Sequence, residues 1–152
     1  MTLTTKGAAE TRRLGAMLGK KLASGDVVLL TGPLGAGKSE LARGIAQGIG
    51  VLGFVPSPTF TMLNIYQGHA FALHHFDWYR IENPEELFEA GLDELIGGDS
   101  LTLIEWHERA PEMIPRDCLE IIIEQGEGDT RNITIRPRGT FRLPDLDLLE
   151  GE

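Results

Sequence analysis

The clearest chemistry in this chain lies in Gly32-Pro33-Leu34-Gly35-Ala36-Gly37-Lys38-Ser39, which satisfies the spacing G-x-x-x-x-G-K-[ST] in full. Each residue type has a physical reason. Glycine reaches positive φ and lets the backbone come close to a polyphosphate. Successive N–H groups then point inward as an anion nest, reinforced by the start of the helix that follows. Lys38 supplies positive charge for the β- and γ-phosphates, and the Ser39 hydroxyl is a ligand for Mg²⁺.

A magnesium ion needs further oxygen ligands, and an attacking water needs a group to orient it. Two carboxylates end strand-like runs downstream. Asp77 closes Phe71-Ala72-Leu73-His74-His75-Phe76, and Glu105 closes Leu101-Thr102-Leu103-Ile104. In open α/β sheets ligands gather at the carboxyl ends of strands, so both acids are well placed. One can hold the metal, directly or through water, while the other orients the water; the spacing alone does not assign them. His74 and His75 are adjacent on a strand and point to opposite faces, which argues against a shared ion. No cysteine cluster supports zinc either.

These residues need elements to position them. Residues 8–23 carry Leu14, Met17, Leu18 and Leu22 at helical spacing. Residues 27–31 form a continuous apolar run, as in a strand buried on both faces. After the glycine loop, residues 38–49 read as a helix, with Leu41, Ile45 and Ile49 four apart and Gly50 at the cap position. Residues 59–67 and 70–76 read as a hairpin turning tightly on Gly68-His69. Asn83-Pro84-Glu85-Glu86 is a strong helix start, with an end near Gly91 and a further turn over 92–96. Residues 101–105 form a short strand, and 118–124 with 131–137 a second hairpin. The order predicts an α/β fold: one P-loop NTPase-like domain with a mixed, mostly parallel central sheet flanked by helices, plus β-hairpins. That domain spans 1–140, and 141–152 form a weakly structured tail.

Composition narrows the function. At 152 residues the chain fits one domain. Its formal net charge of −9 argues against a protein that grips nucleic acid over its whole surface. Between Ile81 and Asp129 only Arg109 and Arg116 are basic, against about fifteen carboxylates. A solvated acidic face and a docking surface for a basic partner both fit that asymmetry. The single cysteine, Cys118, and the absence of a signal-like or membrane-spanning run point to a cytoplasmic protein with no membrane partner. The Asn-Lys-x-Asp tetrapeptide that GTPases use for guanine does not occur in the chain, which favours ATP. A small-molecule kinase would add an arginine-bearing lid, for which there is little room.

Four blocks, in order, resemble the TsaE family, the small bacterial P-loop ATPases of tRNA threonylcarbamoyladenosine synthesis. They are the loop 32–39; Ser57-Pro58-Thr59-Phe60-Thr61; His75-Phe76-Asp77-Trp78-Tyr79-Arg80 followed by Asn83-Pro84-Glu85-Glu86; and Ile104-Glu105-Trp106. The loop is generic, but the other blocks in this spacing are specific. The resemblance implies an ATPase that works with TsaB- and TsaD-like proteins and meets tRNA only through that complex, without performing the transfer. Intrinsic activity is expected to be low and raised by the partners. The other role open to such a fold is a binding module whose ATP state controls docking without turnover.

Position by position, the resemblance gives phosphate binding to Gly35, Ala36, Gly37 and Lys38, and Mg²⁺ to Ser39 and Glu105. It gives water polarisation to Asp77, and γ-phosphate sensing to a switch-like segment around Thr59. Trp106 and Arg131 are expected at the nucleotide. Two positions depart from the family: Pro33 replaces an acid, and Glu40 replaces threonine. Proline suits an early turn of the loop. Glu40 is expected beside the α-phosphate, where a carboxylate turned inward would repel it. Turned outward, it would favour the helix dipole.

Overall fold

The computed structural model describes residues 1–33, 35–53 and 62–143. Seven strands form one sheet, in the order β1-β7-β6-β2-β5-β4-β3. Its centre is β6-β2-β5-β4, all parallel: Cys118–Gln125, Val27–Thr31, Leu101–Glu105 and Ala72–Asp77. Both margins are antiparallel, β3 (Leu63–Gln67) on β4 at one side, and β7 (Arg131–Arg138) with β1 (Thr2–Thr5) at the other. The mixed sheet is as expected, with its parallel pairings concentrated where the site forms.

The alternation of side chains along β2 divides two cores. Val28 and Leu30 face α1 (Ala8–Lys21) and α2 (Lys38–Gly48), packing with Leu14, Leu18, Leu41 and Ile45. Val27 and Leu29 face the other way, toward Phe76, Trp78, Ile81 and Leu87. That second face is covered by α3 (Glu85–Glu89) and by single 3₁₀ turns at Leu92–Leu95, His107–Arg109 and Pro111–Met113.

Helices α1 and α2 lie backbone against backbone. A Cβ on Gly44 would sit 2.0 Å from the Arg12 carbonyl oxygen, and one on Gly15 would sit 2.4 Å from that of Leu41. Gly19 and Gly48 repeat the arrangement one turn later. The four glycines thus bring the loop-bearing helix close to α1.

Several boundaries differ from the sequence reading. Helix α1 stops at Lys21 because Leu22 is extended, and the Asp26 carboxylate accepts the Ala23 N–H at 2.8 Å. The first hairpin turns over residues 68–71, not over Gly68-His69 alone. Its tip is drawn onto the end of α2, where His69 N–H donates to the Ile49 carbonyl at 2.7 Å. The N-terminal strand β1 has no counterpart in the expectations, since Thr2-Leu3-Thr4-Thr5 carries little apolar signal. Helix α3 starts one residue later than expected, at Glu85 with Pro84 at the N-cap, while the Asn83 Oδ1 still accepts the Glu85 N–H at 3.0 Å. Of the tail expected over 141–152, Phe141 and Leu143 pack against the first core, and 144–152 lie outside the described residues.

Candidate functional site

The four parallel strands all run toward one edge of the sheet, and the site stands there. Strand β2 ends at Thr31 and releases the glycine loop. Gly35 and Gly37 hold φ of 81° and 109°, conformations that side-chained residues rarely adopt. Gly32 is needed for space as well, because a Cβ there would meet the Ile123 carbonyl at 2.5 Å. Pro33 opens a turn, its carbonyl accepting the Ala36 N–H at 3.2 Å, so the substitution is accommodated. Lys38 is the first residue of α2, and Gly37 is its left-handed N-cap with no side chain to occupy the helix's free N–H groups.

Strands β4 and β5 are parallel and in register, which sets Asp77 directly opposite Glu105. Both are buried, at 3% and 4% exposure, beside the equally buried Lys38. Lys38 Nζ lies 4.0 Å from Glu105 Oε1 and 4.3 Å from the centre of the Trp106 ring, with no hydrogen-bond partner among the described residues. Burial pushes the Lys38 ammonium below the ordinary lysine value, against the opposing pull of the Glu105, Asp77 and Glu108 carboxylates. An ammonium group that is buried, charge-balanced and lacks a hydrogen-bond acceptor suits a phosphate oxygen. The Ser39 hydroxyl and the Asp77 and Glu105 carboxylates are hard oxygen donors, the type Mg²⁺ takes.

The structure brings together the loop, Lys38, Asp77, Glu105 and Trp106. Trp106 follows β5 in a left-handed conformation (φ 61°) that turns its ring over Lys38, and the Tyr79 ring packs against it at 4.8 Å. Asp77 Oδ1 accepts the Tyr79 N–H at 2.9 Å, which anchors the start of the loop after β4. Arg131 opens β7 at the same edge. Its Nε donates to the Ala36 carbonyl at 2.9 Å, and its Nη1 to the carbonyls of Gly128 and Thr130. In this geometry it braces the glycine loop from the side. Thr59 and its block lie outside the described residues.

Glu40 lines a cavity of about 340 Å³ with Gly35, Gly37, Thr11, Asp129 and Arg131. Its carboxylate is taken up by arginines, with Arg43 Nη1 at 2.6 Å and Arg12 Nη1 at 3.6 Å. The charge is therefore neither turned freely outward nor aimed bare at the loop: two cations offset it at the cavity wall.

Two histidines matter in ways their spacing did not reveal. They do part to opposite faces. His74 Nδ1 meets the Leu95 carbonyl at 2.8 Å, whereas His75 Nε2 meets Glu105 Oε2 at 2.7 Å. A third, His107, joins Thr31 at 3.1 Å, and the Thr31 hydroxyl donates to the buried Glu120 at 3.1 Å. Glu120 is itself held by Arg136 and, at 3.0 Å, by Arg138. This network ties the root of the glycine loop to β6 and β7. An acid inside the apolar run Cys118-Leu119-Glu120-Ile121 was the available signal.

A central parallel sheet, a glycine loop between β2 and α2, and acids closing the neighbouring strands define a P-loop NTPase fold. Comparison with known proteins narrows the class. The family model "Threonylcarbamoyl adenosine biosynthesis protein TsaE" matches residues 5–133. The tRNA threonylcarbamoyladenosine biosynthesis protein TsaE of Bacillus subtilis is 36% identical, over 89% of this chain and 84% of that protein. The TsaE protein of Haemophilus influenzae is 41% identical, over 72% of this chain and 68% of its own length. The crystal structure of Bacillus subtilis YdiB superposes with a TM-score of 0.79 at 32% identity, covering 91% of this chain and 86% of that one. The chain belongs to the TsaE family, whose members take part in tRNA threonylcarbamoyladenosine biosynthesis. Among the described residues, no helix is long and apolar enough to cross a membrane.

Proposed function

We propose that this chain is the ATP-hydrolysing component of the cytoplasmic machinery that makes threonylcarbamoyladenosine in tRNA. It acts with TsaB- and TsaD-like partners, meets tRNA through them, and leaves the transfer itself to them. The observation that carries the hydrolytic part is the in-register pair Asp77 and Glu105 beside a buried Lys38 whose ammonium has no hydrogen-bond partner among the described residues.

In this reading the loop amides from Gly35 to Lys38 bind the polyphosphate, and Lys38 neutralises oxygens of the β- and γ-phosphates. A water then attacks the γ-phosphorus. The bond to the bridging β,γ-oxygen breaks, giving ADP and inorganic phosphate. Asp77 accepts a hydrogen bond from that water and sets its line of approach. Ser39 and Glu105 would hold Mg²⁺, which when bound supplies positive charge to the phosphates. Trp106 and Tyr79 wall the site on the Lys38 side. Arg131, through Ala36, keeps the loop carbonyl turned away from the anion. ATP rather than GTP is assigned because the guanine-reading tetrapeptide does not occur in the sequence.

The test is phosphate release from γ-labelled ATP by the purified chain, alone and with TsaB and TsaD. Slow release alone and faster release with both partners is expected. Release no greater than that of the partners by themselves would refute the hydrolytic reading.

A further inference from the structure

His75 sits on β4, between β5 and the edge strand β3, at 1% exposure and on the same face as Asp77. Its Nε2 lies 2.7 Å from Glu105 Oε2, while Nδ1 is buried with no hydrogen-bond partner among the described residues. An ionised carboxylate can only accept, so Nε2 donates in this bond. The fold gains little from such a residue. Burying an imidazole for one hydrogen bond, with its other nitrogen unsatisfied, is a poorer choice for a β-strand core than leucine or isoleucine. The arrangement makes sense when seen from Glu105. One of its oxygens, Oε2, is taken by His75; the other, Oε1, faces Lys38 at 4.0 Å.

We propose that His75 is the positioning residue of the metal carboxylate. By occupying Oε2 it prevents Glu105 from rotating and presents Oε1 alone toward the phosphate site. The inference rests on the Mg²⁺-dependent nucleotide reading above. It does not require His75 to touch nucleotide, water or metal. Hydrogen-bond partners behind a metal-binding carboxylate typically change metal affinity or activity by about 10–100-fold when removed. The phosphate grip itself, from the loop amides and Lys38, should be left alone.

The measurement is displacement of a fluorescent nucleotide by a non-hydrolysable ATP analogue, first in EDTA and then across a Mg²⁺ titration, with thermal melting in parallel. For His75→Ala, analogue affinity in EDTA should stay within about twofold of wild type, while the half-saturating Mg²⁺ concentration rises by about 10–100-fold. His75→Gln, whose amide can place an N–H near the imidazole Nε2, should recover most of that loss. His75→Asn, one methylene shorter, should not, and the Gln–Asn contrast decides the matter if the alanine variant fails to fold. An unchanged Mg²⁺ midpoint in folded His75→Ala, or equal behaviour of the Gln and Asn variants, overturns the proposal. Wild-type binding that ignores Mg²⁺ overturns the reading beneath it, and shows itself before any variant is made.

Discussion

At the scale of single residues, the arginine clasp on Glu40 has a direct consequence for nucleotide binding. The carboxylate lines the cavity beside the loop, yet Arg43 and Arg12 offset its charge. Replacing it by threonine removes one negative charge from the cavity wall beside the loop. Partly exposed charges of this kind are worth only about 0.2–1 kcal/mol per pair, and salt screens them. Glu40→Thr should therefore tighten ATP binding by about two- to fivefold at low ionic strength, with the gain shrinking in high salt. A fluorescence titration at two salt concentrations checks it, and weaker binding by the variant would mean that the carboxylate itself serves the nucleotide. The loop, Asp77 and Glu105 each carry a local signal, whereas Trp106 came only from the family resemblance; the structure sets all four at one edge of the sheet. What those signals lacked was partners. The bond between His75 and Glu105 spans thirty positions and depends on strand register, which no short window contains. The orientation of Glu40 likewise depends on Arg12 reaching across from another helix.

At the scale of elements, the close approach of α1 and α2 fixes where the loop-bearing helix starts. Glycine costs about 1 kcal/mol against alanine in a helix interior, yet α1 and α2 carry glycines at 15, 19, 44 and 48. Packing accounts for them. A methyl on Gly44 would fall 2.0 Å from the Arg12 carbonyl, which is backbone and cannot swing aside. Overpacking of this kind costs about 1–3 kcal/mol, which outweighs the propensity gain. Gly44→Ala should lower the urea midpoint and weaken ATP binding together; a stabilised variant would show that the helices stand further apart. The helices and the central strands were visible from their apolar periodicity. The length of the first hairpin turn and the existence of β1 were not, because both depend on distant contacts: His69 on the end of α2, and Thr2–Thr5 on β7.

At the scale of the whole molecule, the Glu120 network joins β2, β6, β7 and the turn after β5 on one side of the loop. Burial alone would raise the Glu120 carboxyl, but hydrogen bonds from Arg136 and Arg138 outweigh it and hold the group below its usual 4.5. A carboxyl depressed in the folded state stabilises at neutral pH, and that contribution disappears as pH falls from about the usual value through the lower folded one. Glu120→Gln should thus be less stable than wild type by about 1.5–3 kcal/mol at pH 7, with the difference narrowing below pH 4.5. Urea unfolding at both pH values measures it, and a gap that widens in acid would contradict the assignment.

The acidic stretch from Ile81 to Asp129 and the small size of the domain both suit a subunit that relies on partners for contact with tRNA. In the proposed reading this chain turns ATP over, with Asp77 directing the water. The most direct measurement is Asp77→Asn in the reconstituted system, with nucleotide binding, phosphate release and threonylcarbamoyladenosine formation followed in the same samples. That role for Asp77 predicts near-normal ATP binding, a fall in phosphate release of about 10²–10⁴-fold, and loss of sustained tRNA modification. Modification that continues at the wild-type rate while hydrolysis is lost would contradict it, and would make the nucleotide a docking signal instead of a fuel.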